Sequence, residues 1–232
     1  MNHDIRLFGA IAVRPAVLAV ISRFETDTGL TVAANWELNP TIKKQIEAGE
    51  SFDLVITNPN LVQDLIASGK VQAGSQLGFG RIAMGMAAKA GSRPLDIGSV
   101  EAFEHALKSA GSIAYASEGT SGAYFCSLLE RLGIADEVKP KLVAVPGGLT
   151  APAVGRGEAE LGVVPVTSIL AAAPEVMLVG QFPAELQSYV DFAIGISADP
   201  ADAAKHLSEF LMSTAVDDIL AARGVERGKK RA

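Results

Sequence analysis

Thr41-Ile-Lys-Lys-Gln-Ile-Glu-Ala-Gly49, followed by Ser51-Phe-Asp-Leu-Val-Ile-Thr-Asn58, decides the fold of this chain. The first stretch reads as a short helix closed by Gly49. The second reads as a buried strand over Phe52 to Thr57 that ends in polar residues, and in α/β proteins ligands bind beyond such strand ends. Upstream, Ile5 to Phe8 is an apolar strand, and Pro15 opens a helix over Ala16 to Thr28, where its missing N–H costs nothing. Gly29 closes that helix. Leu30 to Trp36 forms a further strand and Pro40 starts the next helix. Strand, helix, strand, helix, strand predicts a parallel sheet flanked by helices.

The alternation continues downstream. Asn60 is placed as the cap of a helix through Ser68, ended by Gly69. From Gln76 to Ala88 a long apolar stretch with Gly78, Gly80 and Gly85 is too glycine-rich for a helix and predicts a strand crossing between lobes. Ser99 caps a helix over Val100 to Lys108, Ile113 to Ala116 is a strand, and a helix runs from Ser121 to Leu132, closed by Gly133. Lys141 to Val145 is a strand, Thr150 to Arg156 a helix and Leu161 to Val164 a strand. A short helix over Val166 to Ala173 then leads to a strand at Val176 to Val179. Val190 to Ile196 is a strand that returns to the first lobe. Asp199-Pro200 opens a helix to Met212, and a last helix covers Ala215 to Arg223. The predicted architecture is α/β and two-lobed. Residues 1–81 and 190–232 form a discontinuous first lobe, 82–189 form the second, and the two chain crossings act as a hinge around a ligand cleft.

Composition bounds the function. The chain has 232 residues, 49% hydrophobic and 20% charged, which is globular and large enough for two lobes. A net charge of −6 gives no basic field for phosphate backbones, which argues against a nucleic-acid partner. The basic run Lys229-Lys230-Arg231 reads as a solvated tail. The single cysteine, Cys126, reads as a small buried thiol beside Phe125, Leu128 and Leu129. His3, His105 and His206 lack ligand spacing, so no metal site and no cofactor are expected, and His105 and His206 are placed on the surface. No apolar run reaches the roughly 20 residues needed to cross a bilayer. The start Met1-Asn-His-Asp-Ile-Arg lacks the pattern of a secretory leader, which reads as cytoplasmic for the chain as written, or periplasmic if a leader has been removed.

Gln45-Ile-Glu-Ala-Gly-Glu-Ser-Phe-Asp-Leu-Val-Ile56, Gly157-Glu-Ala-Glu-Leu-Gly-Val-Val164 and the order of elements resemble the type II periplasmic solute-binding fold, nearest the molybdate-binding proteins of bacterial importers. The resemblance covers essentially the whole chain. It implies a protein, monomeric by expectation, that closes two lobes around one small anion and passes it to a membrane permease. Compared position by position, the family's ligand chemistry is replaced. Its alanine-alanine-serine-leucine reads Ala10-Ile11-Ala12-Val13 here, so Ala12 stands for the anion-binding serine. Its serine-glycine reads Asn39-Pro40, and Pro165 stands where the family commonly has tyrosine. These replacements remove about three hydrogen bonds to an oxyanion, each worth on the order of 1.5–3 kcal/mol with a charged ligand. They argue for a small carboxylate over molybdate.

The residues that remain suggest such a site. Arg14, between the first strand and Pro15, either grips a carboxylate in bidentate fashion or pairs on the surface with Glu25. Ser117-Glu118-Gly119-Thr120-Ser121-Gly122, between a strand and a helix, offers hydroxyls and free N–H groups to an anion, or is a plain capping turn. Gly147-Gly148 is a second loop whose amides can approach a ligand. Asn39, Thr41 and Thr167 stand at helix starts and complete a polar ring, although each is also an ordinary cap position. Trp36 walls the cleft or fills the core, and Tyr124 reaches the pocket or packs half-buried. Two functions fit. One is a solute receptor for a small carboxylate. The other is an isomerase of a small unsaturated acid, since aconitate isomerase is known among relatives of the molybdate-binding proteins; Glu118 or Glu37 would then move the proton if buried with a raised pKa.

Overall fold

The computed structural model describes residues 5–227. The readings at His3, at the first four residues and at Lys229 to Arg231 lie outside the described residues. The chain divides into two compact units. One is built from the described residues of 1–81 and 191–232, the other from 82–190, so the backbone passes between them at Arg81–Ile82 and again at Val190–Asp191.

In the first unit, β1 (Ile5–Ala10), β2 (Val32–Glu37) and β3 (Leu54–Thr57) are parallel, with β1 in the middle. Leu7 lies opposite Leu54, and Ala10 opposite Glu37. α1 (Arg14–Thr28), entered through a 3-10 turn at Ile11–Val13, joins β1 to β2. α2 (Asn39–Glu47) joins β2 to β3, and α3 (Pro59–Ala67) follows β3. Gly29 takes the left-handed conformation (φ 71°) that ends α1. Gly9 has a different reason to lack a side chain. A Cβ there would lie 2.2 Å from the Trp36 ring, which covers it from the neighbouring strand. Trp36 is half-buried, so it is not fully enclosed in the core.

The cap of α3 differs from expectation. Asn58, not Asn60, accepts the Leu61 N–H (2.8 Å), because Pro59 occupies the first helical position, where no N–H is needed. The crossing strand is β4 (Leu77–Lys89). In the second unit its last residues pair antiparallel with β7 (Leu161–Pro165) on one edge, and with β8 (Val176–Gln181) on the other. β7 is parallel to β5 (Ile113–Ala116), and β5 to β6 (Leu142–Val145). The helices are α4 (Val100–Ser109), α5 (Thr120–Arg131), the single turn α6 (Ala135–Val138), α7 (Thr150–Arg156) and α8 (Val166–Ala171). Ser99 caps α4 through Ala102 N. Cys126 is half-buried rather than enclosed, because its helix turns Phe125, Leu128 and Leu129 inward instead.

β9 (Tyr189–Ile196) returns the chain and runs antiparallel to β3, with Leu54 opposite Ile196. The helix expected from Asp199 starts only at Ala204, as α9 (Ala204–Met212). The stretch before it is pinned to neighbouring segments instead, the Ala201 N–H by Asp53 Oδ1 (2.9 Å) and the Asp199 N–H by Ser197 Oγ. The expected last helix is divided into a 3-10 turn at Thr214–Val216 and α10 (Asp217–Ala221), before the short β10 (Val225–Glu226) pairs with β4. α9 packs on α1 through the Phe24–Phe210 edge contact at 5.4 Å. His105 and His206 are exposed. Among the described residues no helix is long and apolar enough to cross a membrane.

Candidate functional site

In the first unit the parallel strands deliver their polar residues to one end. Arg14 is the first residue of α1, just past β1, and is exposed. Among the described residues its guanidinium has no hydrogen bond or ion pair, while its backbone N–H donates to Ile11 O. The alternative partner, Glu25, is used elsewhere, since its Oε1 accepts the Val32 N–H at 2.9 Å. Glu37 ends β2 half-buried and, among the described residues, without an ion pair. Asn39 opens α2, and its Oδ1 accepts the Thr57 hydroxyl at 2.8 Å. The Thr41 N–H is already spent on Leu38 O (2.9 Å), leaving that residue its half-buried hydroxyl.

Thr57 was not singled out by sequence. It is fully enclosed at the end of β3, and it fixes the orientation of the Asn39 amide by holding its oxygen. A threonine directly after Asp53-Leu-Val-Ile56 was the available signal, because a hydroxyl ending an apolar strand needs a partner.

In the second unit, the parallel strands β5, β6 and β7 likewise end in the loops singled out by sequence. The Ser117 N–H is committed to Val145 O (3.1 Å), while Ser117 through Thr120 are exposed. α5 has no side-chain cap at Gly119, so the amides of its first turn lack intrahelical partners and face the loop. Ser121 is half-buried in that turn. Gly122 explains why the loop is held so close. A Cβ there would sit 1.7 Å from the Ala116 carbonyl oxygen, so only glycine lets α5 press on the end of β5. Glu118 is exposed, not buried as the proton-moving role envisaged for it requires.

Gly147 and Gly148 form a turn closed by Leu149 N to Pro146 O (3.1 Å), with Gly148 at φ 82°. Beside it Thr150 is fully buried and its hydroxyl has no partner among the described residues. Thr167 is fully enclosed in the first turn of α8. The Tyr124 hydroxyl is not available to a ligand loop, because it donates to Leu186 O at 2.8 Å.

Two further features lie away from these residues. At the opposite end of the first unit's strands, the buried Asp53 accepts from Arg6 N (2.7 Å), Arg6 Nε (3.1 Å), Arg6 Nη2 (3.1 Å) and Ala201 N (2.9 Å). Burial pushes the Asp53 pKa up, but the hydrogen bonds from Arg6 and Ala201 outweigh it and hold the carboxyl below its usual range. The first unit also contains an open pocket of about 730 Å³ lined in part by Arg81, Asp191, Met212, Asp217 and Arg227. The Arg227 guanidinium there lies over the Phe79 ring and 3.1 Å from Asp217. Among the described residues no group of three or more His, Cys, Asp or Glu side chains could hold a metal ion.

Residues 5–226 match the family described as bacterial extracellular solute-binding protein. The chain belongs to that family. It is 30% identical over 203 residues to an aconitate isomerase from Pseudomonas sp., a match covering 84% of this chain and 76% of the relative. It is 28% identical over 200 residues to the molybdate-binding protein ModA of Escherichia coli (strain K12), covering 83% and 76%. Among solved structures, the periplasmic molybdate-binding protein of Azotobacter vinelandii superposes with a TM-score of 0.82 at 17% identity, covering 97% of this chain and 100% of that one. The solute-binding chain thus has the type II periplasmic-binding fold, as the framework passages implied. Members of the family bind small solutes and work with an importer's permease.

Proposed function

We propose that this solute-binding protein takes a small carboxylic acid with more than one carboxylate, and not molybdate. The carrying observation is Arg14. An exposed guanidinium with no partner among the described residues stands at the start of α1, at the strand ends where this fold class binds ligands. Planar, bidentate donation suits a carboxylate, whereas the hydroxyl-based oxyanion chemistry of the molybdate-binding proteins is replaced by Ala12, Asn39 and Pro165. The uncapped start of α5 and the hydroxyls of Thr120 and Ser121 offer donors to a further carboxylate, whereas the Ser117 hydroxyl is turned to Val145 O. A thermal-shift series with molybdate, tungstate, sulfate, citrate, cis-aconitate and trans-aconitate tests this. A ligand at a hundredfold its Kd stabilises by about 2.7 kcal/mol. Stabilisation by a di- or tricarboxylate is expected; stabilisation by molybdate alone overturns the proposal.

A second reading, isomerisation of such an acid, is favoured by the 30% identity to aconitate isomerase. It requires a base to remove a proton from one carbon and return it to another, with the electron pair shifting along the allylic carbons. Glu37, half-buried and without an ion pair among the described residues, suits that role better than the exposed Glu118. Proton NMR of trans-aconitate with the protein in heavy water separates the readings. A receptor leaves the carbon-bound protons in place, whereas an isomerase exchanges them for deuterium and forms the other isomer.

A further inference from the structure

Just inside the two places where the chain passes between units, one side chain replaces a missing stretch of sheet. β8 pairs with β4 from Lys89 down to Gly85, which lies opposite Gln181, and there its ladder stops. Met84 is the next residue along that edge, and β9 is the edge's other neighbour. At Met84 the Gln187 carboxamide fills the gap. Its Oε1 accepts the Met84 N–H (2.9 Å) and the Ser188 N–H (2.9 Å). Its Nε2 donates to Met84 O (3.2 Å) and Phe182 O (3.4 Å). A carboxamide is chemically a peptide group, so it accepts from and donates to one residue as a neighbouring strand would. Main-chain bonds from Met84 N to Ser188 O (3.1 Å) and from Phe182 N to Met84 O (3.2 Å) close the same knot. Leu186, buried beside Gln187, receives the Tyr124 hydroxyl from α5, the helix whose first turn carries the candidate anion loop.

We propose that Gln187 is a positioning residue that ends the rigid part of the second unit at Met84 and Ser188. Bending of the crossing chain is thereby confined to Ile82–Ala83 and Tyr189–Val190, and Tyr124 joins the loop helix to the same knot. The link to a ligand rests on reading residues 117–121 as an anion loop; the knot itself does not. The test therefore uses the full chain without ligand, following amide hydrogen exchange by NMR. Q187L keeps most of the side-chain volume and removes all of its hydrogen bonds. At least tenfold faster exchange is expected at Met84 and Ser188, with Ile113 and Ala114 of β5 unchanged. Unchanged rates at Met84 and Ser188, or a uniform rise across the second unit, overturn the proposal.

Q187E guards against a variant that folds poorly. Its carboxylate still accepts but cannot donate, and it faces the Met84 and Phe182 carbonyls. Protection factors at Met84 and Ser188 should fall at pH 7 and recover as the carboxyl is protonated toward pH 4, a profile absent in the native protein. A flat profile overturns the donor role. Y124F should speed exchange at Leu186 and Gln187, and its effect combined with Q187L should differ from the sum of the two. Strict additivity removes Tyr124 from the knot.

Discussion

The two ends of the first unit's parallel strands carry the same kinds of residue and treat them in opposite ways. At the N-terminal end Asp53 is enclosed and accepts from the main chain and guanidinium of Arg6 and from the Ala201 amide. At the C-terminal end, among the described residues, the Arg14 guanidinium has no partner and Glu37 has no ion pair, while Asn39 is held by Thr57. A carboxylate surrounded by protein donors is part of the architecture, since burying it costs several kcal/mol unless those bonds are made. A guanidinium left at a helix start has no architectural use and remains available to a ligand. The difference teaches which charge belongs to folding and which to binding.

Removing the architectural charge should have the largest effect. Asp53→Ala leaves the Arg6 and Ala201 amides without their acceptor and is expected to cost about 3 kcal/mol in urea unfolding, within the range for breaking a buried pair from one side. A loss below about 1 kcal/mol would break the comparison. Arg14→Ala should do the reverse. Its stability should change by less than about 0.5 kcal/mol, while calorimetric affinity for the stabilising acid falls by about 2 kcal/mol, the worth of a charged hydrogen-bonded contact. Unchanged affinity would make Arg14 an ordinary surface residue.

Thr57→Val removes the hydroxyl that orients Asn39 and leaves the strand's shape. About 1 kcal/mol of stability is expected to go with it, with a smaller fall in affinity. The smallest effect should be that of acid. Because the folded Asp53 pKa lies below its unfolded value near 3.9, its contribution is complete above that pH and is lost as pH falls through the folded value. Melting temperatures of native protein and Asp53→Asn should therefore converge below about pH 4, and parallel curves would remove Asp53 as the cause.

The fold was legible because its signals are local. Gly29, Gly49, Gly69 and Gly133 all take the positive φ that ends or follows a helix, so the element order followed from punctuation. The places misread depend on distant partners. No pattern near Asp199 shows that Ala201 will give its amide to Asp53, 148 positions earlier, pinning the stretch before α9 to another segment. Asn60 looked like a cap until Pro59 took the first helical position for Asn58. At the candidate site the strand ends and loops were visible. That Tyr124 is spent on Leu186 and that Thr57 holds Asn39 were not, because each bond joins residues from separate elements.

The ring of Trp36 occupies the space that a side chain on Gly9 would fill, and it is the chain's one indole. Half-buried beside Glu37, at the same strand ends as Arg14 and Asn39, it makes the protein's ultraviolet emission a report from a single address. Quenching or a spectral shift on adding an acid would signal events at that end of the first unit alone, with no label attached.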